Sequence, residues 1–276
     1  MNRSVPLGDL DLINYHQQGY LILREAFTSE RIQALLDAVN RLIDRALSGN
    51  PELRWMDREN RLPARTGHLL HPEKYDPAFA EWLNDDLAPQ IEALLSDCPA
   101  RHSLFGMLAS GGGQPYCQKW HRDIGKPGVP GEADFLKRFH GKFVQFNAPL
   151  LAGDRFLNIV PASHLRDSTP EEIRASADGD QADMPGALIV ELEPGDIVYY
   201  NANLWHRGWN PEGINRWTLH CAFWQSKYPV MKHEHGQREA FLTPGYLDQL
   251  PPMTRKYIER YLDRYPEGEP KTLLEL

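Results

Sequence analysis

From Thr28 to Leu47 the apolar residues Ile32, Leu35, Leu36, Val39, Leu42, Ile43 and Leu47 recur at spacings of three and four. That period predicts an amphipathic helix with one buried stripe, and Thr28 or Ser29 offers a hydroxyl to cap its first turn. A second helical pattern, DPAFAEWLNDDLAPQIEALLS, covers residues 76–96 and is interrupted near Pro89, which has no N–H to donate. The first hundred residues therefore read as mostly helical, with a polar, irregular stretch at 51–75.

Beyond residue 101 the apolar runs shorten and begin to alternate. HSLFGMLAS, PYCQKWH, KFVQFNAPL, RFLNIV, ALIVEL, DIVYYNA, LWHRG and RWTLHCAFW are rich in β-branched and aromatic residues and are bounded by Gly, Pro, Asn or Asp. About eight short strands without long helices between them predict a mainly β core of the two-sheet or jelly-roll kind, with flanking helices. EPGD at 193–196 and the glycines at 111–113 read as turns, the latter as a hairpin. Two long connections, 124–141 and 162–186, read as lid or binding loops. The first carries Lys126, Phe135, Lys137, Arg138, Phe139 and Lys142, which suit either an anionic, partly apolar substrate or a solvated helix face. PPMTRKYIERYLDRY predicts a helix in the tail. No repeat divides the chain, so 1–276 reads as one domain. It comprises a helical part (1–100), a β core (101–226) and a helical tail (227–276).

Composition adds exclusions. The formal net charge of −8 speaks against a nucleic-acid partner. Cys98, Cys117 and Cys221 form no CxxC pair and read as reduced thiols of a cytoplasmic protein. The opening residues lack the apolar region of a signal peptide, and no apolar run is long enough to span a membrane. Oligomeric state is not legible.

The chemistry concentrates in WHRD. His121 and Asp123 stand two apart, so on a strand they share a face and can grip one ion. A lone His-x-Asp is also common as a surface pair. His206, between Trp205 and Trp209, offers a third ligand; its bland reading is a core or rim histidine. Together the three make a 2-His-1-carboxylate set, which fills one face of an octahedral ion and leaves the other open. Arg216, ten residues after His206, can point at the same cavity and grip a carboxylate with its fork, or else sit in a surface ion pair. Thr218 shares its strand face and can add a hydroxyl. His164 and His220 read as structural, and His233 and His235 as solvent-facing.

The ordered set of segments resembles the phytanoyl-CoA dioxygenase-like family of Fe(II)/2-oxoglutarate oxygenases. The segments are YHQQGYLILREAFTSERIQALLDAV, WHRD, LNIVPASH and LEPGDIVYYNANLWHRGWNPEGINRWTLHCAFW. The resemblance implies a double-stranded β-helix, a cupin-like jelly roll. It implies His121, Asp123 and His206 as catalytic iron ligands, and Arg216 on the distal carboxylate of 2-oxoglutarate. Fe(II), 2-oxoglutarate and O₂ would then act on an unidentified small-molecule substrate. Asp123 points to hydroxylation, or another oxidation such as desaturation, over halogenation, because related halogenating enzymes carry a small residue there. Two other readings remain: a cupin-like protein that binds a metal or ligand without turnover, and a Zn²⁺ or Mn²⁺ hydrolase or isomerase. The second lacks a clear extra general base.

Overall fold

Helix α1 (Asp9–Gln18) ends at Gly19, whose left-handed φ of 80° turns the chain into strand β1 (Tyr20–Leu23). A Cβ at Gly19 would also lie 2.6 Å from His164 Nδ1, so only glycine fits this approach. Helix α2 (Ser29–Leu47) follows, capped by Thr28, whose hydroxyl accepts from the Arg31 N–H at 3.3 Å. Leu35, Val39, Leu42 and Ile43 form its buried stripe. The computed structural model describes residues 6–48, 56–57, 62–63, 66–96, 98–110, 113, 115–178, 183–234 and 236–273, and the Leu47 side chain falls outside that description.

In the polar stretch, two-residue strands β2 (Met56–Asp57) and β3 (Leu62–Pro63) pair with each other. The second helical pattern divides into α3 (Pro77–Trp82), a π-helical turn over Leu83–Leu87 and α4 (Ala88–Leu94). Pro89 donates nothing, and the widened turn before it lets the Ala88 N–H reach back to the Leu83 carbonyl.

The β region runs β4 (Ala100–Ser110), β5 (Tyr116–Cys117), helix α5 (Glu132–Phe139), β6 (Phe143–Pro149), β7 (Asp154–Ile159), helix α6 (Pro170–Ala177), β8 (Leu188–Leu192), β9 (Ile197–Tyr200), β10 (His206–Asn210) and β11 (Arg216–Gln225). Helices α7 (Arg238–Phe241) and α8 (Pro252–Asp263) close the chain. One sheet has the order β1-β9-β6-β11-β4 and the other β5-β10-β7-β8, with antiparallel pairing throughout. The chain thus alternates between the two sheets, as a double-stranded β-helix does.

Three expectations change in detail. β4 and β5 lie in different sheets, so the glycine stretch between them joins sheets and is no hairpin; Gly111 and Gly112 lie outside the described residues. The two long connections each carry a helix, α5 and α6. Strand β5 stops at Cys117, so His121 and Asp123 sit on an irregular segment past its end.

Side-chain parity explains how the larger sheet works. Phe105 and Met107 on β4, Val144, Phe146 and Ala148 on β6, and Leu219, Cys221 and Phe223 on β11 pack into one apolar cluster. Tyr15, Leu42 and Trp82 from the N-terminal helices join it, as does Tyr257 of α8. Each fully buried side chain of this kind stabilises the fold by about 1.5–3 kcal/mol. The alternate residues Leu108, Gln145, Asn147, Arg216 and His220 turn to the other face, toward Leu157, His206 and Gly208 of the smaller sheet. The space between the sheets is therefore lined by polar groups on a rigid, helix-backed wall.

Candidate metal centre

His121 and His206 meet across an antiparallel bridge and exchange backbone hydrogen bonds, both 3.0 Å. Their imidazoles leave on the same side, with ring centres 4.3 Å apart. Just past the bridge the chain bends, and the Asp123 N–H donates to the Ala202 carbonyl at 3.0 Å. This tether brings Asp123 Oδ1 to 3.5 Å from His121 Nε2 and 3.7 Å from His206 Nε2. Among the described residues, His121, Asp123 and His206 are the one group of three donors close enough to share an ion.

The orientation of each donor is set by a neighbour. His121 Nδ1 lies 2.8 Å from the Lys119 carbonyl and His206 Nδ1 lies 2.9 Å from the Leu204 carbonyl. A carbonyl only accepts, so both protons sit on Nδ1 and both Nε2 lone pairs face Asp123. Burial, then the adjacent His121, push the His206 pKa down to about 4, so the ring is neutral near pH 7. The other Asp123 oxygen, Oδ2, accepts from the Gln145 side-chain amide on β6, leaving Oδ1 toward the histidines. Two imidazole nitrogens and one carboxylate oxygen suit Fe(II) or a similar divalent transition metal, and they can hold it from one side.

Arg216 opens β11 and lines the same cavity. Its Nε donates to Thr218 Oγ1 at 2.9 Å and lies 3.5 Å from Asp154 Oδ2, while its Cζ stands 5.1 Å from the Phe156 ring centre. The register of β7 shifts between Asp154 and Leu157, an irregularity of the kind that re-aims side chains. With Nε engaged, the two terminal nitrogens of the guanidinium make no hydrogen bond among the described residues. They form a fork suited to a carboxylate. Thr218 is fully buried: its hydroxyl donates to Asp154 and accepts from Arg216, linking the two.

The cavity is narrow and partly open to solvent, with about 80 Å³ accessible to the centres of water-sized molecules. Tyr116, Gln118, Asn147, Tyr200 and His220 complete its polar lining, and Asp123 is its only carboxylate among the described residues. His220 holds Asn147 Oδ1 at 2.8 Å. His164 is buried against the His16 carbonyl, away from this cavity. Among the described residues, neither 124–141 nor 162–186 contributes to the lining. The apolar part of the basic-aromatic stretch, Phe135 and Phe139, packs instead with Phe143, Trp224 and Tyr228. His233 is about half exposed, and His235 lies outside the described residues.

Comparison with solved structures shows that the jelly-roll fold is shared with proteins of low sequence identity. EctD from S. alaskensis, determined with 2-oxoglutarate and 5-hydroxyectoine, is 13% identical and aligns over 99% of this chain and 88% of its own with a TM-score of 0.61. HygX from Streptomyces hygroscopicus, with nickel and 2-oxoglutarate bound, is 16% identical over 82% and 90% of the two chains, with a TM-score of 0.60. AviO1 from Streptomyces viridochromogenes is 20% identical over 78% and 93%, with a TM-score of 0.57. No curated protein matches the chain. The family model described as phytanoyl-CoA dioxygenase matches residues 15–136, a span that includes His121 and Asp123. Over that span the chain is similar to the phytanoyl-CoA dioxygenase family.

Proposed function

We propose that the protein hydroxylates an unactivated C–H bond of a small organic substrate, with His121, Asp123 and His206 holding Fe(II) and Arg216 holding the distal carboxylate of 2-oxoglutarate. The observation that carries this reading is the convergence of the three donors with the free fork of Arg216 in one cavity. Iron with 2-oxoglutarate and O₂ would supply the oxidising chemistry, with one oxygen atom going to the C–H bond, the other to succinate, and CO₂ as the further product.

The chain's own residues bind and orient. The carbonyls of Lys119 and Leu204 keep both imidazoles in the metal-binding tautomer. Gln145 restrains Asp123 so that one oxygen faces the two histidines. Asp154 and Thr218 pin the Arg216 Nε, so that the fork meets its carboxylate already oriented. Tyr116, Gln118, Asn147, Tyr200 and His220 favour a substrate with hydrogen-bonding groups. The acidic net charge favours a small molecule over nucleic acid, and the free cysteines suit a cytoplasmic setting. Among the described residues no helix is long and apolar enough to cross a membrane.

The test is anaerobic addition of Fe(II) and 2-oxoglutarate, with the weak visible charge-transfer band of the chelate as readout, followed by O₂ and a succinate assay. The reading requires both the band and succinate. Asp123→Ala is expected to lose the metal; Arg216→Ala is expected to keep it and to weaken 2-oxoglutarate binding. Unchanged 2-oxoglutarate affinity in Arg216→Ala would remove Arg216 from its role. A metal-binding chain that forms no succinate would favour ligand binding without turnover.

A further inference from the structure

The sequence carries the triplet Trp-His-Arg twice, as Trp120-His121-Arg122 and Trp205-His206-Arg207. The bridge between His121 and His206 sets the triplets antiparallel, so Trp120 stands opposite Arg207 and Arg122 opposite Trp205. Adjacent residues of an extended segment take opposite faces, so the imidazoles go one way and the four flanking side chains the other. The contacts follow that register. Arg207 Cζ lies 4.6 Å from the Trp120 ring centre, and Arg122 Cζ lies 4.9 Å from that of Trp205. The Trp209 ring centre also lies 3.8 Å from Arg207 Cζ.

All four side chains of the crossed pairs are buried. Arg122 donates to the carbonyls of Ser163 and Asn203 and lies 3.3 Å from the Glu132 carboxylate of α5. Arg207 donates to Asn158 Oδ1 at 3.3 Å. The two tryptophans pack with Val160, Met184 and Ala175, the last on α6. The helices of both long connections therefore bear on the back of the histidine pair.

We propose that these two crossed Trp–Arg pairs are a positioning device that fixes the spacing of His121 and His206 and so sets the affinity and geometry of the metal ion between them. The inference rests on the reading of His121, Asp123 and His206 as metal ligands. An isolated bridge supplies few backbone hydrogen bonds, and the chain bends away directly after it. Cross-strand stacking of desolvated arginine on tryptophan supplies the rigidity that the backbone alone lacks.

The test uses the full chain and Co(II) alone, whose visible d–d bands report ligand geometry, without co-substrate. Arg122→Lys and Arg207→Lys keep the charge but lose the flat stacking face; Arg122→Met and Arg207→Met lose both. We expect the methionine variants to bind Co(II) about tenfold more weakly or worse, with shifted bands, and the lysine variants to fall between them and wild type. Trp120→Leu combined with Arg207→Met is expected to lose no more than the worse single change, because both break one contact. Folded variants with wild-type affinity and bands overturn the inference, as does a lowered Tm with unchanged Co(II) binding, which would mark a merely structural contact. Should the methionine variants fail to fold, the lysine variants decide by the same criterion. A wild-type chain that binds Co(II) no better than His206→Ala overturns the metal reading and this inference with it. Wild-type binding matched by the variants overturns this inference alone.

Discussion

Asp154→Asn isolates the cost of orienting Arg216. The two groups are each 3% exposed and lie 3.5 Å apart, so their attraction at an effective dielectric constant of 20 is about 5 kcal/mol before desolvation. Asparagine preserves shape, but its single oxygen can accept from only one of the Thr218 hydroxyl and the Phe156 N–H, and it leaves the guanidinium buried without a counter-charge. Breaking one side of such a pair costs about 3–5 kcal/mol, which for a chain of this size lowers Tm by roughly 6–20 °C. Removing both charges, with Asp154→Leu and Arg216→Met together, is expected to restore most of the lost stability. It should not restore 2-oxoglutarate binding, because the fork is gone. Thermal melts of the two singles and the double give the coupling, and 2-oxoglutarate titration of each separates folding from ligand binding. An Asp154→Asn protein melting within about 2 °C of wild type would refute the argument, since it would mean that the pair is effectively solvated.

Gln145→Leu removes the amide that occupies Asp123 Oδ2, and Co(II) affinity is expected to fall about tenfold with little change in Tm. Gly19→Ala must force both a left-handed backbone and a contact with the His164 ring, so a loss of more than about 1 kcal/mol is expected in urea titration. Burial drives His102 down to about 3, and His68, His140 and His164 down to about 4, so the folded chain resists protonation that the unfolded chain accepts. Stability should therefore be full above about pH 6.5 and fall as the pH drops toward 4. His102→Phe, within an already aromatic pocket, should flatten that slope by up to one proton, about 1.4 kcal/mol per pH unit; an unchanged slope in urea melts from pH 4 to 7 would refute the assignment.

Much of the sheet was legible because its strands alternate cleanly and end at Gly, Pro or Asp. The candidate site was legible through residue types with pronounced chemistry: His121, Asp123, His206 and Arg216. Asp154 and Gln145 were not, because nothing local distinguishes them. Their value comes from register, which sets β6 beside Asp123 and the irregular start of β7 beside Arg216. The strand face of Thr218 points its hydroxyl toward the ligand, yet that hydroxyl is consumed by Asp154 and Arg216, a contact visible only once strands are placed. Helix α6 does carry a local signal: Thr169-Pro170-Glu171-Glu172 is a capping box, with Glu172 accepting from the Thr169 N–H at 2.9 Å. The repeated Trp-His-Arg triplet was likewise in plain sight, but its meaning depended on the bridge that pairs the two copies.

Strand β11 serves two neighbourhoods at once. Arg216 and His220 face the cavity, whereas Leu219, Cys221 and Phe223 join the helix-backed core. For a mutational library this creates two nearly independent alphabets on one segment. Substitutions restricted to cavity-facing positions of β6 and β11 would resculpt what the chamber accepts while the opposite wall keeps its packing. Substitutions one residue out of phase would register as lost protein before they registered as altered chemistry.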